Sequence, residues 1–330
     1  MARCSVDSGP YSQRNAVHSE TPWQAVRLSC AGGGRQAVAQ FIPEMGSNLV
    51  GLEVDGTEYL YPWAETQGAP TILGTPVLYP TPNRVRNAQF SWGGRTFSFK
   101  PNNGTSFIHG LVRDMPWACD EPRVGEGSVS ITTRVRFAPG QAIYELYPIR
   151  NTLELTYTLT PGAIRLDFRV VNEDQQLLPF GLAIHPYFRI IGGRESVRLQ
   201  VPAKKWMEAV DLLPTGRLVD LDQAPADLRQ SASLAKLDLD DVFWGLEPGG
   251  PPVIYYDAIG TKVTLRSSEL FTHSVVYTPP TRPFFCVESQ SCSTDAHNLH
   301  ARGLEQEAHL TILRPGEALA AWVEIAVSDQ

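Results

Sequence analysis

Two arms and the turn between them decide the fold: Thr152-Leu153-Glu154-Leu155-Thr156-Tyr157-Thr158-Leu159, then Pro161-Gly162, then Ile164-Arg165-Leu166-Asp167-Phe168-Arg169-Val170. In each arm every second residue is large and apolar, and the residues between are polar or charged. Successive side chains of a strand point to opposite faces. A period of two with one polar face therefore reads as a half-buried antiparallel strand. A proline–glycine turn between two such arms pairs them. Val129, Ile131, Val135 and Phe137, just upstream, keep the same phase.

Working outward, the pattern repeats. Strands at 23–30 and 36–42 flank Gly32-Gly33-Gly34, and a strand at 47–54 runs into the hairpin dipeptide Asp55-Gly56. Segments 89–92 and 96–100 flank Gly93-Gly94. Further short strands are expected at 196–201, 253–256, 262–265, 272–277, 284–288, 308–313 and 322–327. Only 141–147 and 295–301 carry helical pattern, and both are short. The 26 prolines and 27 glycines are spread along the chain, which suits many strands and turns better than one linker. The expectation is an all-β protein, a large antiparallel β-sandwich with under about a fifth of its residues helical. No composition shift marks a boundary, so 1–330 is expected to be a single domain, with the polar, Ser-rich 1–20 as a loose N-terminal arm.

Composition narrows the function classes. The chain is 42% hydrophobic and 19% charged, as in ordinary globular proteins, and its net charge of −7 argues against a nucleic-acid partner. No apolar run is long enough to span a membrane, and 1–20 lacks the apolar core of a secretory signal. The five cysteines are odd in number and form no C-x-x-C. They are expected to be free thiols in a reducing, cytoplasmic compartment, with Cys286 and Cys292 reduced although their spacing would let them pair.

The glycine run at 32–34 lacks phosphate-loop spacing, and no serine-hydrolase, zincin, P-loop or zinc-deaminase motif is present. His297-x-x-His300 offers two histidines without a third ligand, so a solvated helix face is the better account, and no metal is expected. Five residues stand in unusual settings: Arg84 after a proline-rich loop, His109 before a glycine, His185 before Pro186, Asp240 in an acidic cluster entering an apolar run, and Glu288 at the end of a core strand. Each also has a structural reading: a carbonyl cap, a satisfied core histidine, a turn residue or half of an ion pair. Proline biases His185 toward extended backbone, and histidine exchanges protons near neutral pH. Tyr187 and Phe188 beside it would make a flat wall for a ring.

Taken in order, Asn83-Arg84, His109-Gly110, His185-Pro186-Tyr187-Phe188, Asp240-Asp241-Val242-Phe243 and Cys286-Val287-Glu288 resemble the aldose 1-epimerase (galactose mutarotase) family. The resemblance spans roughly 36–327, and the H-P-Y-F and C-x-E elements are its most specific parts. It implies the family's β-supersandwich and the interconversion of α and β anomers of a free hexose, galactose or glucose, by a monomer or homodimer without cofactor. His185 would be the general acid and Glu288 the general base, with Arg84, His109 and Asp240 binding sugar. Asp240 and Asp241 adjoin, so either could point at ligand. The acid and the base are expected to face each other across the sugar, without a direct hydrogen bond.

Arg189 stands where the family usually has asparagine, which raises an anionic substrate. A hexose 6-phosphate epimerase would need a cationic pocket, for which Arg86, Arg189 and Arg282 are candidates. A non-catalytic carbohydrate-binding protein would have no reason to keep all five residues. A glycoside hydrolase using Asp240 and Glu288 would leave His185 without a role.

Overall fold

A computed structural model describes residues 3–11, 23–66 and 69–330. The two arms form the strands Asn151–Thr160 and Ala163–Asn172, paired antiparallel with Leu153 opposite Val170, Leu155 opposite Phe168, Tyr157 opposite Leu166 and Leu159 opposite Ile164. All eight side chains are buried, each contributing roughly 1.5–3 kcal/mol. Ser128–Phe137 pairs on one side and Ala318–Asp329 on the other, placing Ile131, Val135, Val323 and Ile325 in the same layer. These strands are the middle of a ten-stranded sheet.

A five-stranded meander, from Arg3–Pro10 to Thr57–Glu58, covers that sheet. Phe41 stacks on Tyr157 with ring centroids 4.7 Å apart, and the Tyr157 hydroxyl donates to the Ser47 carbonyl. The third large sheet has eight strands, and alternate residues of Phe284–Gln290 divide between its faces. Phe285 and Val287 enter the main core with Phe188, Phe243 and Val276, while Cys286, Glu288 and Gln290 take the opposite face. That opposite face carries the candidate site.

The described residues are thus predominantly antiparallel β-structure, as expected. The α-helices among them are Ala142–Leu146, Ala296–Ala301 and Glu305–Ala308, the first two where helical pattern was read. None is long and apolar enough to cross a membrane.

Three expectations are corrected. Residues Arg3–Pro10 are not a loose arm but a strand paired along its length with Gln24–Gly32; 12–22 lie outside the described residues. That pairing sets Cys4 opposite Cys30, and the two are joined as a disulfide. The argument for a reducing compartment loses its basis with that bond, although Cys119, Cys286 and Cys292 are free. His297 lies in no solvated helix face: it is buried, stacked 4.1 Å from Phe90.

The alternation predicts unequal costs at neighbouring positions. Phe168→Ala should lose about 3–5 kcal/mol in denaturant unfolding. Arg169→Ala, exposed and paired with Glu154 at 3.3 Å, should lose no more than about 1 kcal/mol. Comparable losses at the two would contradict the assigned faces.

Candidate active site

Strand register assembles the site. Ala183–Ile184 lies against Gln290 and Ser289, and Tyr187–Arg189 against Cys286 to Phe284, in one continuous register. Between them Pro186 has no N–H to donate, so the ladder is interrupted without a slip. The register sets His185 opposite Glu288, and cross-strand neighbours on one face lie within side-chain reach. His185 Nε2 is 3.1 Å from Glu288 Oε1. The expectation that the two groups stand apart is overturned. The reason is the strand register, which sets the two side chains directly opposite each other on one face.

The next row of the same face reads Asp240, Tyr277, Cys286, Tyr187, each opposite the next. Tyr187 stacks on His185, with centroids 4.5 Å apart and planes 12° apart. Phe188 points the other way, into the core against Phe285, so the expected wall has one ring rather than two. Asp240 points into the cleft and accepts from Arg84 Nη2 at 3.3 Å. Asp241 accepts from Trp206 Nε1 at 2.8 Å and does not line the cleft.

Arg84 and His109 come from a two-stranded ribbon over this face, in which Arg84 pairs with Ile108. Asn83 and His109 both have positive φ, 55° and 71°, and the His109 amide donates to the Asn83 carbonyl at 3.0 Å. Such left-handed residues cost energy and are held by their surroundings. Gly110 next to His109 has φ +69°, and a Cβ there would meet the Tyr79 carbonyl oxygen at 2.4 Å. Only glycine permits that approach. The Arg84 guanidinium is fixed by Asn83 Oδ1 at 3.1 Å, Asn103 Oδ1 at 3.3 Å and Asp240. His109 packs edge-on against His185, centroids 5.0 Å apart.

All five expected residues therefore line one cleft of about 220 Å³, with Asn83, Asn103, Ile108, Tyr187 and Tyr277. That volume suits a ligand smaller than a drug. Arg86, Arg189 and Arg282 do not line it. Arg86 is paired with Asp295 at 3.4 Å, and Arg189 donates to the Leu60 carbonyl at 2.8 Å. Sequence reading missed Gln290, whose Nε2 donates to Glu288 Oε2 at 2.8 Å, and also missed Asn103 and Tyr277. Gln290 sits two residues beyond Glu288 and so shares its face; Tyr277 and Asn103 depend on pairings between distant segments.

His185 and Glu288 are 5% and 2% exposed. Burial pushes the imidazole down to about 3 and the carboxyl well above the usual carboxylate range. Gln290 and Arg84 oppose the rise of Glu288, while the charge of Asp240 adds to it. Burial, His185 and two arginines likewise hold His109 well below its ordinary value. A low-dielectric site disfavours net charge, so the His185–Glu288 contact favours the state in which the two groups hold one proton between them.

A sequence model of the aldose 1-epimerase family matches residues 32–326. The uncharacterised protein YihR of Escherichia coli (strain K12) is 23% identical over 275 residues, covering 82% of this chain and 85% of that protein. Galactose mutarotase of Sus scrofa is 27% identical over 159 residues, 47% of this chain and 44% of the mutarotase. Among solved structures, a galactose mutarotase-like protein from Clostridium acetobutylicum superposes with a TM-score of 0.80 over 99% of both chains at 17% identity, a likeness of fold.

Gly110→Ala should destabilise the protein by at least about 2 kcal/mol, read from its denaturant midpoint, because strained φ and a backbone clash add. A midpoint like the parent's would show that the His109 loop is not held as described.

Proposed function

The chain belongs to the aldose 1-epimerase family, and on that premise we propose that it interconverts the α and β anomers of a free hexose, galactose or glucose, with His185 and Glu288 as the acid–base pair. The observation that carries this reading is the 3.1 Å contact between Nε2 and Oε1, at the wall of a cleft also lined by Arg84, His109 and Asp240.

Ring opening takes a proton from the anomeric hydroxyl and gives one to the ring oxygen. The electron pair of the breaking C1–O5 bond goes to O5, and C1 becomes an aldehyde. Rotation about C1–C2 presents the other carbonyl face, O5 attacks it, and both protons return by the reverse transfers. The pair starts and ends with one proton, so no covalent intermediate is needed.

Glu288 is the base and His185 the acid when the shared proton sits on Nε2. Substrate itself favours that arrangement. The anomeric hydroxyl donates to the carboxylate, and the ring oxygen, which only accepts, calls for an N–H. Gln290 occupies Oε2 and leaves Oε1 for the exchange. Arg84 and Asp240, already paired, donate to and accept from hydroxyls on the rest of the ring. His109 packs against His185 and fixes its ring plane. A phosphorylated hexose would need a further cation in the cleft, and Arg86 and Arg189 are engaged elsewhere.

Polarimetry on freshly dissolved galactose and glucose tests the reading. Glu288→Gln and His185→Asn should each lower turnover by about 10²–10⁴-fold while a binding titration still detects sugar. Arg84→Ala should act mainly on affinity. Turnover by Glu288→Gln at the parental rate would remove Glu288 as the base.

A further inference from the structure

We propose that Asp295, a buried carboxyl that does not line the cleft, is a positioning residue: it holds the ribbon that carries Arg84 in a fixed place beside the acid–base pair. The proposal rests on the anomer interconversion above and adds a residue that acts on the sugar through another.

The ribbon has little to hold it. Arg84–Val85 pairs with Phe107–Ile108 over two residues only, and positive φ at Asn83 and Asn87, 55° and 52°, turns the chain away on both sides. Two short paired strands are marginal without further support. The peptide groups of a strand point alternately to its two edges. The Asn83 carbonyl faces Phe107–Ile108 and accepts from the His109 N–H. The Arg84 carbonyl and the Arg86 N–H face the other edge, where the ribbon has no third strand among the described residues.

Asp295 stands in for that strand. Its N–H donates to the Arg84 carbonyl at 2.9 Å, and its Oδ1 accepts from the Arg86 N–H at 3.0 Å. The carboxyl is 1% exposed, so water does not compete for these bonds. Asn298 Nδ2 donates to the same Oδ1 at 2.7 Å and to the Gln89 carbonyl at 3.0 Å, which fixes the carboxyl against the start of the strand Gln89–Trp92. Asp295 follows Glu288 by seven residues, on the segment that leaves the strand Phe284–Gln290. The base and the guanidinium therefore take their separation from one short stretch of chain. Loss of the Oδ1 contacts frees the ribbon and moves Arg84 from the sugar hydroxyls, while His185 and Glu288 stay opposite each other in their own ladder.

The test is mutarotation kinetics on galactose and glucose with the parent, Asp295→Gly, Asp295→Asn, Arg86→Ala, Arg84→Ala and the double variant Arg84→Ala/Asp295→Gly. Asp295 has φ 58°. Glycine tolerates that conformation and removes the carboxyl, whereas asparagine tolerates it and keeps the Oδ1 acceptor. Asp295→Gly should raise KM by about tenfold or more and leave kcat within about threefold, the split expected when binding and not the chemical step is touched. Asp295→Asn should restore KM to within about threefold of the parent. Arg86→Ala should leave KM within about twofold, because that side chain is 42% exposed and its ion pair does not hold the backbone. In the double variant KM should be no higher than in Arg84→Ala alone, because two residues that act through one contact are not additive.

An unchanged KM in Asp295→Gly, even with a lowered unfolding midpoint, would leave Asp295 a structural role only and refute the proposal while the epimerase reading stands. KM losses that multiply in the double variant would refute it equally. Should Asp295→Gly fail to fold, Asn298→Ala, which removes the donor that fixes Oδ1, decides by the same two criteria, with KM expected to rise by about threefold or more. If the parent turns over neither sugar, the epimerase reading fails and takes the role of Asp295 with it.

Discussion

Pro186 has no N–H to give to the neighbouring strand, and the ladder beside Phe284–Gln290 stops there while its register runs on. That continuity places an imidazole opposite a carboxyl on a face turned away from the main core. A one-residue slip of either strand would send its own side chain, His185 or Glu288, into the apolar layer occupied by Phe188, Phe285 and Val287. Those aromatic and branched side chains, well packed on the inner face, therefore hold the geometry of the outer one. The ten-stranded sheet and its five-stranded cover supply the mass of core against which this sheet is fixed.

Burial then sets the chemistry. Two titratable groups almost without solvent would be costly if both were charged and isolated. Contact resolves this with a shared proton. The strained Asn83 and His109 and the close approach at Gly110 position the ribbon that brings Arg84 and His109 over the pair.

Much of this was legible in the sequence because it is local. The alternation at 152–159 and 164–170 reports strand faces directly, and the glycine pairs mark the hairpins. The five residues were singled out from odd neighbours, a proline, a glycine or an apolar run, before any fold was known. What stayed hidden depends on which distant strands meet. Tyr277 becomes a site residue only because its strand lies between those of Asp240 and Cys286. The choice of Asp240 over Asp241 likewise follows from the face its strand presents. Arg189 was a candidate substrate cation because it departs from the family's usual asparagine, whereas the fold gives it the Leu60 carbonyl and the ring of Tyr61. The Cys4–Cys30 bond was missed because 1–20 carries no strong alternation, and only pairing with Gln24–Gly32 sets the two sulfurs face to face.

The central claim is that His185 and Glu288 work as one buried unit carrying a single proton. The pH dependence of kcat/KM for mutarotation tests it most directly, because that profile reports groups of the free protein. With burial pushing His185 down to about 3 and Glu288 well above its usual range, the one-proton form extends from about pH 3 past the ordinary carboxylate value. The profile should therefore stay level as pH falls through the ordinary carboxylate value of about 4.3. A full-amplitude acid limb at that value would mean that the carboxyl titrates alone, and would contradict the account.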